Sequence, residues 1–285
     1  DKWKNMVNKK YIKYIPRDQF LQQLDSFDGK VSHVIHMGAC SATTERDFDF
    51  LYENNLGFTK AVWNFCVKNQ ISMINASSAA TYGAGNHGFD DKTDIGVLEP
   101  LNGYGYSKQL FDLWERQQTL RPAQYCGFKF FNVYGPNEYY KGSMASVIFH
   151  TFNKIKETGE MGLFKSYRPD YADGQQLRDF VYVKDICKVV KFMIEHPDVN
   201  GLFNLGTGTA RSFYDLAKAT FDALGLEPNI KFVEMPETLR KKYQYYTQAN
   251  MEKLRAAGYH EAFYTLEEGC KDYVTNYLAQ DYKTY

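Results

Sequence analysis

No two cysteines of this 285-residue chain stand in C-x-x-C spacing. The five present (Cys40, Cys66, Cys126, Cys187, Cys270) are scattered and odd in number. That pattern disfavours a disulfide framework and leads us to expect reduced thiols in a cytoplasmic protein. The six histidines are equally dispersed, so no zinc-ligand spacing appears and no metal is expected. No apolar run approaches the ~20 residues of a membrane span, and the first residues do not form a signal peptide. An excess of charge is missing too: 34 Lys and Arg balance 34 Asp and Glu. This balance argues against nucleic acid or a polybasic membrane surface as partner. Internal repeats, low-complexity tracts and long linkers are also lacking.

One further absence bears on function. Strand and helix patterns alternate: an apolar run over 31–39, helical periodicity over 45–69, a strand over 71–76, a helix over 104–120, a strand over 125–133. This order predicts an α/β fold, a Rossmann-like doubly wound parallel sheet. A dinucleotide-binding sheet of that kind opens with a glycine turn between its first strand and helix. The G-x-G-x-x-G string here, Gly83-Ala-Gly85-Asn-His-Gly88, runs into an acidic loop, Phe89-Asp-Asp-Lys-Thr-Asp94, rather than a helix. It reads as a flexible loop at a strand edge. Either the fold is a different one, or the sequence begins inside a longer protein, after an opening β-α-β unit with the glycine loop. A polar start without Met favours the second.

Beyond Pro136 the texture changes. Helices are expected over 143–157, 184–196, 212–224 and 266–279, strands over 178–183 and from 202, and a polar loop over 164–176. The expected division is a nucleotide-binding domain, 1–133 with 181–210, and a smaller mixed α/β substrate lobe, 134–180 with 211–285. The 23 Tyr and 21 Phe read first as core and interface material.

The most informative feature present is Tyr104-Gly-Tyr-Ser-Lys108, with Ala76-Ser77-Ser78 upstream at the end of a strand. A Tyr and a Lys four residues apart share one helix face. An ammonium there favours ionisation of the phenol, which makes a general acid or base of Tyr104. Ser78 is placed to bond the substrate oxygen that loses or gains a proton. These residue types suit redox chemistry at a carbinol carbon beside a nicotinamide.

Further stretches extend the pattern: Gly38-Ala-Cys-Ser-Ala-Thr-Thr-Glu45, Ala76-Ser-Ser-Ala-Ala-Thr-Tyr-Gly83, Phe131-Asn-Val-Tyr-Gly-Pro136, Lys141-Gly-Ser-Met-Ala-Ser-Val147, Arg178-Asp-Phe-Val-Tyr-Val183, Phe203-Asn-Leu-Gly-Thr-Gly208 and Tyr243-Gln-Tyr-Tyr-Thr-Gln-Ala249. On these the chain, from about Lys2 to its end, resembles the extended short-chain dehydrogenase/reductase superfamily. Within it the likeness is to the ADP-glycero-manno-heptose 6-epimerases. The resemblance implies epimerisation at C6 of an ADP-bound heptose, for lipopolysaccharide core synthesis, through a 6-keto sugar and a tightly bound NADP (or NAD). It assigns Tyr104 and Lys141 to opposite faces of the reacting carbon, with Lys141 neutral through burial or nearby cations. Ser78 bonds the reacting oxygen, and Lys108 holds the nicotinamide ribose.

The same resemblance places Met37, Gly38, Ala39, Cys40, Ser41, Asn54, Val133, Lys108 and Lys141 along the cofactor. Lys2 and Arg17 fall near its adenosine end. Asn132, Ser143, His150, Phe164, Lys165, Ser166, Tyr167, Arg178 and Tyr243 fall on the substrate, with Arg178 suited to the diphosphate. A homo-oligomer, pentameric in the family's pattern, is implied as well. The loop over 165–176 looks longer than that pattern.

Plainer readings stand beside these. Tyr104 and Lys108 alone would pass for a surface pair, Lys141 for a solvated lysine, His150 for a packed or polar-face histidine, and Asn132 for a turn residue. Cys40 reads as a small packed residue, and Arg178 as an ion-pair partner of Asp179 or Asp185. Another sugar-nucleotide epimerase, a dehydratase or a non-catalytic nucleotide-binding protein of the same fold are the alternative functions. Ala79-Ala80 after Ser78, where a dehydratase carries an acidic pair, argues against the second. The retained Ser78, Tyr104 and Lys108 argue against the third.

Overall fold

Every residue of the strand Ser72–Ser78 is buried, the mark of a strand covered on both faces. The computed structural model describes residues 2–240 and 243–285. In chain order its strands are β1 (His33–His36), β2 (Ser72–Ser78), β3 (Gln124–Phe130), β4 (Asn132–Tyr134), β5 (Met161–Phe164), β6 (Leu177–Arg178), β7 (Phe180–Tyr182), β8 (Gly201–Leu205), β9 (Arg211–Ser212) and β10 (Ile230–Val233). The main sheet runs β1-β2-β3-β8. All three of its pairings are parallel, with Ser78 opposite Phe130 and Phe130 opposite Leu205.

Side-chain alternation along these strands sorts the core into two layers. Ile74, Cys126, Phe128 and Phe203 face the helix Val183–Glu195 through Ile186, Val189 and Met193. Met73 and Tyr125 face the opposite way, onto Trp63 and Phe65 of Phe58–Asn69 and Phe111 of Gly103–Arg116. Helices on both faces make the sheet doubly wound. A separate core lies under β4 and β7, where Tyr134, Phe180 and Tyr182 pack with Ile148, Phe152, Leu216, Leu266 and Tyr273.

Several elements depart from the sequence expectation. The periodic run 45–69 is not one helix: a π-helical turn, Tyr52–Gly57, separates Phe48–Leu51 from Phe58–Asn69. The strand expected over 125–133 breaks at Phe131, after which β4 leaves the main sheet to pair with β7. The helix expected from Ser143 starts at Val147, because the Ser146 hydroxyl caps it by accepting from Phe149 N at 3.3 Å. The pairs β5–β10 (parallel) and β6–β9 (antiparallel) were not foreseen. Both rest on partners distant in sequence.

The glycine string is a run of turns. Gly83, Gly85 and Gly88 have φ of 59°, 82° and 76°, and Gly85 N and Gly88 N bond back to Tyr82 O and Gly85 O at 3.0 and 2.9 Å. Among the described residues no helix is long and apolar enough to cross a membrane.

Candidate active site

Ligands of open parallel sheets bind beyond the carboxyl ends of the strands. The ends of β2 and β3 here border a cleft of about 440 Å³ lined by Ser78, Tyr104, Asn132, Val133, Met144, Ala145 and Arg178, among others. Ser78 closes β2, and its hydroxyl accepts from Ala80 N at 3.1 Å. Tyr104 stands in the first turn of the helix Gly103–Arg116, which Asn102 caps by accepting from Gly105 N at 2.8 Å. That turn approaches the strand end closely. A side chain at Gly105 would come within 2.7 Å of Ala80 O, which explains the glycine between two tyrosines.

The Tyr104 and Ser78 side chains line the same cleft. Burial raises the pKa of Tyr104, the neighbouring Ser78 side chain opposes that, and the negative charge of Asp112 adds to the rise. Lys108 lies buried one turn on, and its Nζ donates to Ala76 O at 2.8 Å. Burial brings its pKa down to about 8, against the pull of Asp112. The expected assistance of Lys108 to phenol ionisation is therefore not what sets Tyr104 here. One N–H of the ammonium is directed at a strand carbonyl, and desolvation favours the neutral phenol.

The donor set fits a dinucleotide. An ammonium carries three N–H groups, and among the described residues only the bond to Ala76 O engages that of Lys108. Two remain for a ribose diol. A Cβ at Gly38 would make only ordinary contact with the His36 ring, at 3.7 Å. Met37, Gly38, Ala39 and Ser41 are exposed and Cys40 is half-buried, in the loop that follows the carboxyl end of β1. Asn54 is buried, and its Oδ1 accepts from the Arg17 guanidinium. Lys2 does not join Arg17: its ammonium lies 5.4 Å from the Tyr140 ring.

Arg178 is buried, yet no carboxylate among the described residues meets it. Its Nη1 donates to Leu177 O at 2.8 Å and Nη2 to Gln244 O, with the guanidinium 5.5 and 5.4 Å from the Phe213 and Tyr243 rings. Asp179 is engaged instead by Thr207, Gly208 and Ala249. Asp185 is held by Lys188 and Tyr264 N. The ion-pair reading of Arg178 is thus replaced by a desolvated cation at the cleft wall. Such a cation is suited to an anion.

Lys141 is exposed, which corrects the expectation that burial would neutralise it. Its loop reaches the cleft through Met144 and Ala145. The neck of this loop is closed by buried Glu138, which accepts from Ser146 N at 2.7 Å, Ser146 Oγ at 2.6 Å and Tyr273 OH at 2.9 Å. Ser143 and His150 are exposed on the same segment, and neither is among the cleft-lining residues.

Phe164, Lys165, Ser166 and Tyr167 lead into a loop fastened both to itself and to Glu234 and Tyr245. Ser166 N bonds Asp173 Oδ1 at 2.7 Å, Lys165 pairs with Glu234 at 2.8 Å, and Tyr167 OH donates to Glu234. The Arg168 guanidinium lies 5.4 and 5.2 Å from the Tyr171 and Tyr245 rings. None of these residues lines the cleft directly.

Sequence reasoning missed three groups behind the site. His36 is buried, with Nε2 at 3.0 Å from Thr59 Oγ1. Thr59 gives its only proton to Asn55 O at 2.6 Å, so His36 must be the donor, through an Nε2–H tautomer. Burial and then the Lys108 charge push its pKa down to about 4. Asp112 and Lys129 form a buried pair at 2.8 Å, joined by Ser77 Oγ and Thr81 Oγ1. Asn55 links three elements. A single polar residue within a strand or helix pattern is a weak signal for any of these without the fold.

The profile of the NAD dependent epimerase/dehydratase family matches residues 16–206. A Fusobacterium nucleatum protein named ADP-L-glycero-D-manno-heptose-6-epimerase is 50% identical, over 99% of this chain and 88% of that protein. One of the same name from Nitratidesulfovibrio vulgaris is 52% identical, over 98% of this chain and 87% of that protein. The crystal structure of the Helicobacter pylori ADP-L-glycero-D-manno-heptose-6-epimerase superposes with a TM-score of 0.78 at 26% identity, over 96% of this chain and 82% of that one.

Proposed function

This chain belongs to the NAD dependent epimerase/dehydratase family, and we propose that it interconverts ADP-D-glycero-D-manno-heptose and ADP-L-glycero-D-manno-heptose by inverting C6 of the sugar. The names of relatives at 50 and 52% identity support the substrate. The observation that carries the chemistry is one cleft lined by Ser78, the Tyr104 phenol and the Arg178 guanidinium, which no carboxylate among the described residues engages. The phenol suits proton transfer at a carbinol. The guanidinium suits a diphosphate.

A nicotinamide dinucleotide is the cofactor, held by Lys108, Asn54, Val133 and the 37–41 loop. We take it to be NADP, with Arg17 as the cation for a 2′-phosphate. When bound and oxidised, it supplies the acceptor for the carbinol hydrogen with its electron pair, and a positive charge beside the phenol. On one face Tyr104, ionised beside that charge, takes the hydroxyl proton as the carbonyl forms, while Ser78 fixes the oxygen; the proton that restores the alcohol on the other face comes from a second group. One fixed group serves one face, so the opposite face needs its own. Lys141 fills that role, gaining the burial it lacks here as its loop covers the sugar. Arg178 and Tyr243 orient the nucleotide end while the 6-keto sugar turns. Asn132, Ser143, His150 and residues 164–167 complete the substrate surround.

The reading places the protein in the cytoplasm as a homo-oligomer, pentameric by resemblance, serving lipopolysaccharide core synthesis. Light scattering checks the assembly. The deciding experiment incubates the full chain with ADP-D-glycero-D-manno-heptose and catalytic NADP and follows the sugar by proton NMR. Appearance of the L-glycero isomer is expected. An unchanged spectrum with either NADP or NAD would sink the proposal.

A further inference from the structure

Asn55 occupies a position the chemistry above has not used. It lies in the π-helical turn Tyr52–Gly57 and is only 1% exposed. Single π-turns inside helices recur at functional sites. The Asn55 amide binds one residue of the dinucleotide loop in both directions. Its Oδ1 accepts from Cys40 N at 2.8 Å, and its Nδ2 donates to Cys40 O at 3.0 Å. This is the exchange two antiparallel strands make, performed by a side chain.

The second Nδ2 proton goes to Ser107 Oγ at 2.9 Å, and Ser107 donates its own proton to Tyr104 O at 2.7 Å. Asn54 Nδ2 takes the remaining lone pair of Oδ1 at 2.8 Å. Every bonding position of the amide is therefore filled by protein. One end holds the loop that follows β1, and the other holds the turn that carries the phenol.

We infer that Asn55 is a positioning residue that registers the 37–41 loop against the Tyr104 helix, fixing the separation between dinucleotide and general acid/base. The inference rests on the function proposed above. Near-attack geometry tolerates little error: a misplacement of about 1 Å is enough to cost roughly 100-fold in rate.

The test uses three variants of the full chain. NADPH binding is read by fluorescence and turnover by the NMR assay. Asn55→Ala cuts both ties. It is expected to weaken NADPH about 10-fold or more and to lower kcat roughly 100-fold, with KM for the sugar nucleotide little changed because Arg178 is untouched. Ser107→Ala cuts only the link to the helix. It should leave the NADPH Kd near wild type and lower kcat alone.

A purely structural role predicts a lower melting temperature with Kd and kcat unchanged in the folded fraction. That result overturns the inference. Should Asn55→Ala not fold, Asn55→Asp keeps the acceptor for Cys40 N and loses both donors, and the same rise in Kd is required of it. The two failures separate cleanly. Wild-type protein that binds neither NADPH nor NADH sinks the function reading and this inference with it. Wild-type binding matched by the variants sinks this inference alone.

Discussion

The carboxylate of Asp112 sits 2.8 Å from the Lys129 ammonium, with the two side chains 0% and 2% exposed, one helical turn beyond Lys108. Ser77 Oγ, next to Ser78, donates to the same Asp112 oxygen at 2.7 Å. A charged pair is thus sealed beneath the site, between the end of β2 and the Tyr104 helix.

Removing one partner strands a charge out of water. Lys129→Met is expected to cost about 3–5 kcal/mol of stability, whereas Lys129→Met with Asp112→Leu should recover much of it. Urea denaturation of the three proteins checks this. A double variant as unstable as the single one would mean the pair contributes mainly by shape.

Asp112→Asn probes the same charge from the side of chemistry. Its negative charge raises the pKa of both Lys108 and Tyr104, so neutralising it lowers both. The rising limb of the pH–rate profile should move to lower pH. A profile that stays in place would show that Asp112 exerts no electrostatic effect on the phenol.

Tyr104→Phe removes the phenol oxygen while keeping the ring. Turnover should fall by ~10²–10⁴ with the melting temperature nearly unchanged. Lys141→Met alters an exposed side chain, so stability should stay within about 0.5 kcal/mol while epimerisation is lost. Full turnover in either variant would remove that residue from the mechanism.

His36 makes stability depend on pH. Its folded pKa is pushed down to about 4 from 6.5, so between those values the unfolded chain binds a proton that the folded chain refuses. Stability therefore falls as pH drops through that window, by up to about 3 kcal/mol from this group. His36→Gln should flatten that part of the curve in urea titrations at pH 7 and pH 4.5. An equal slope in both proteins would place the acid sensitivity elsewhere.

How much was legible beforehand can be judged from particular residues. Ser78, Tyr104 and Lys108 were readable because each belongs to a short string whose spacing alone places it on a strand end or a helix face. The alternation of strands and helices was readable for a related reason: buried strands and amphipathic helices announce themselves over a few residues. Arg178 was identified as a candidate but not in its state, since only the fold shows that Asp179 turns away to Thr207 and Gly208. Lys141 shows the limit most plainly. Its type suited the chemistry, but whether it is buried depends on a loop fastened by Glu138 and Tyr273, 135 positions apart.

The sequence by itself determined the alternation of strands and helices, the shared helix face of Tyr104 and Lys108 and the place of Ser78 at a strand end, because hydrophobic period and short-range spacing act within a few residues. The tertiary structure alone decided which polar groups are desolvated. Burial raises Tyr104, lowers His36 and Lys108, strands Arg178 without a carboxylate and gives Asn55 its partners. Those environments are built from residues tens of positions apart, and the charge of a side chain follows the water it has lost rather than its neighbours in the chain.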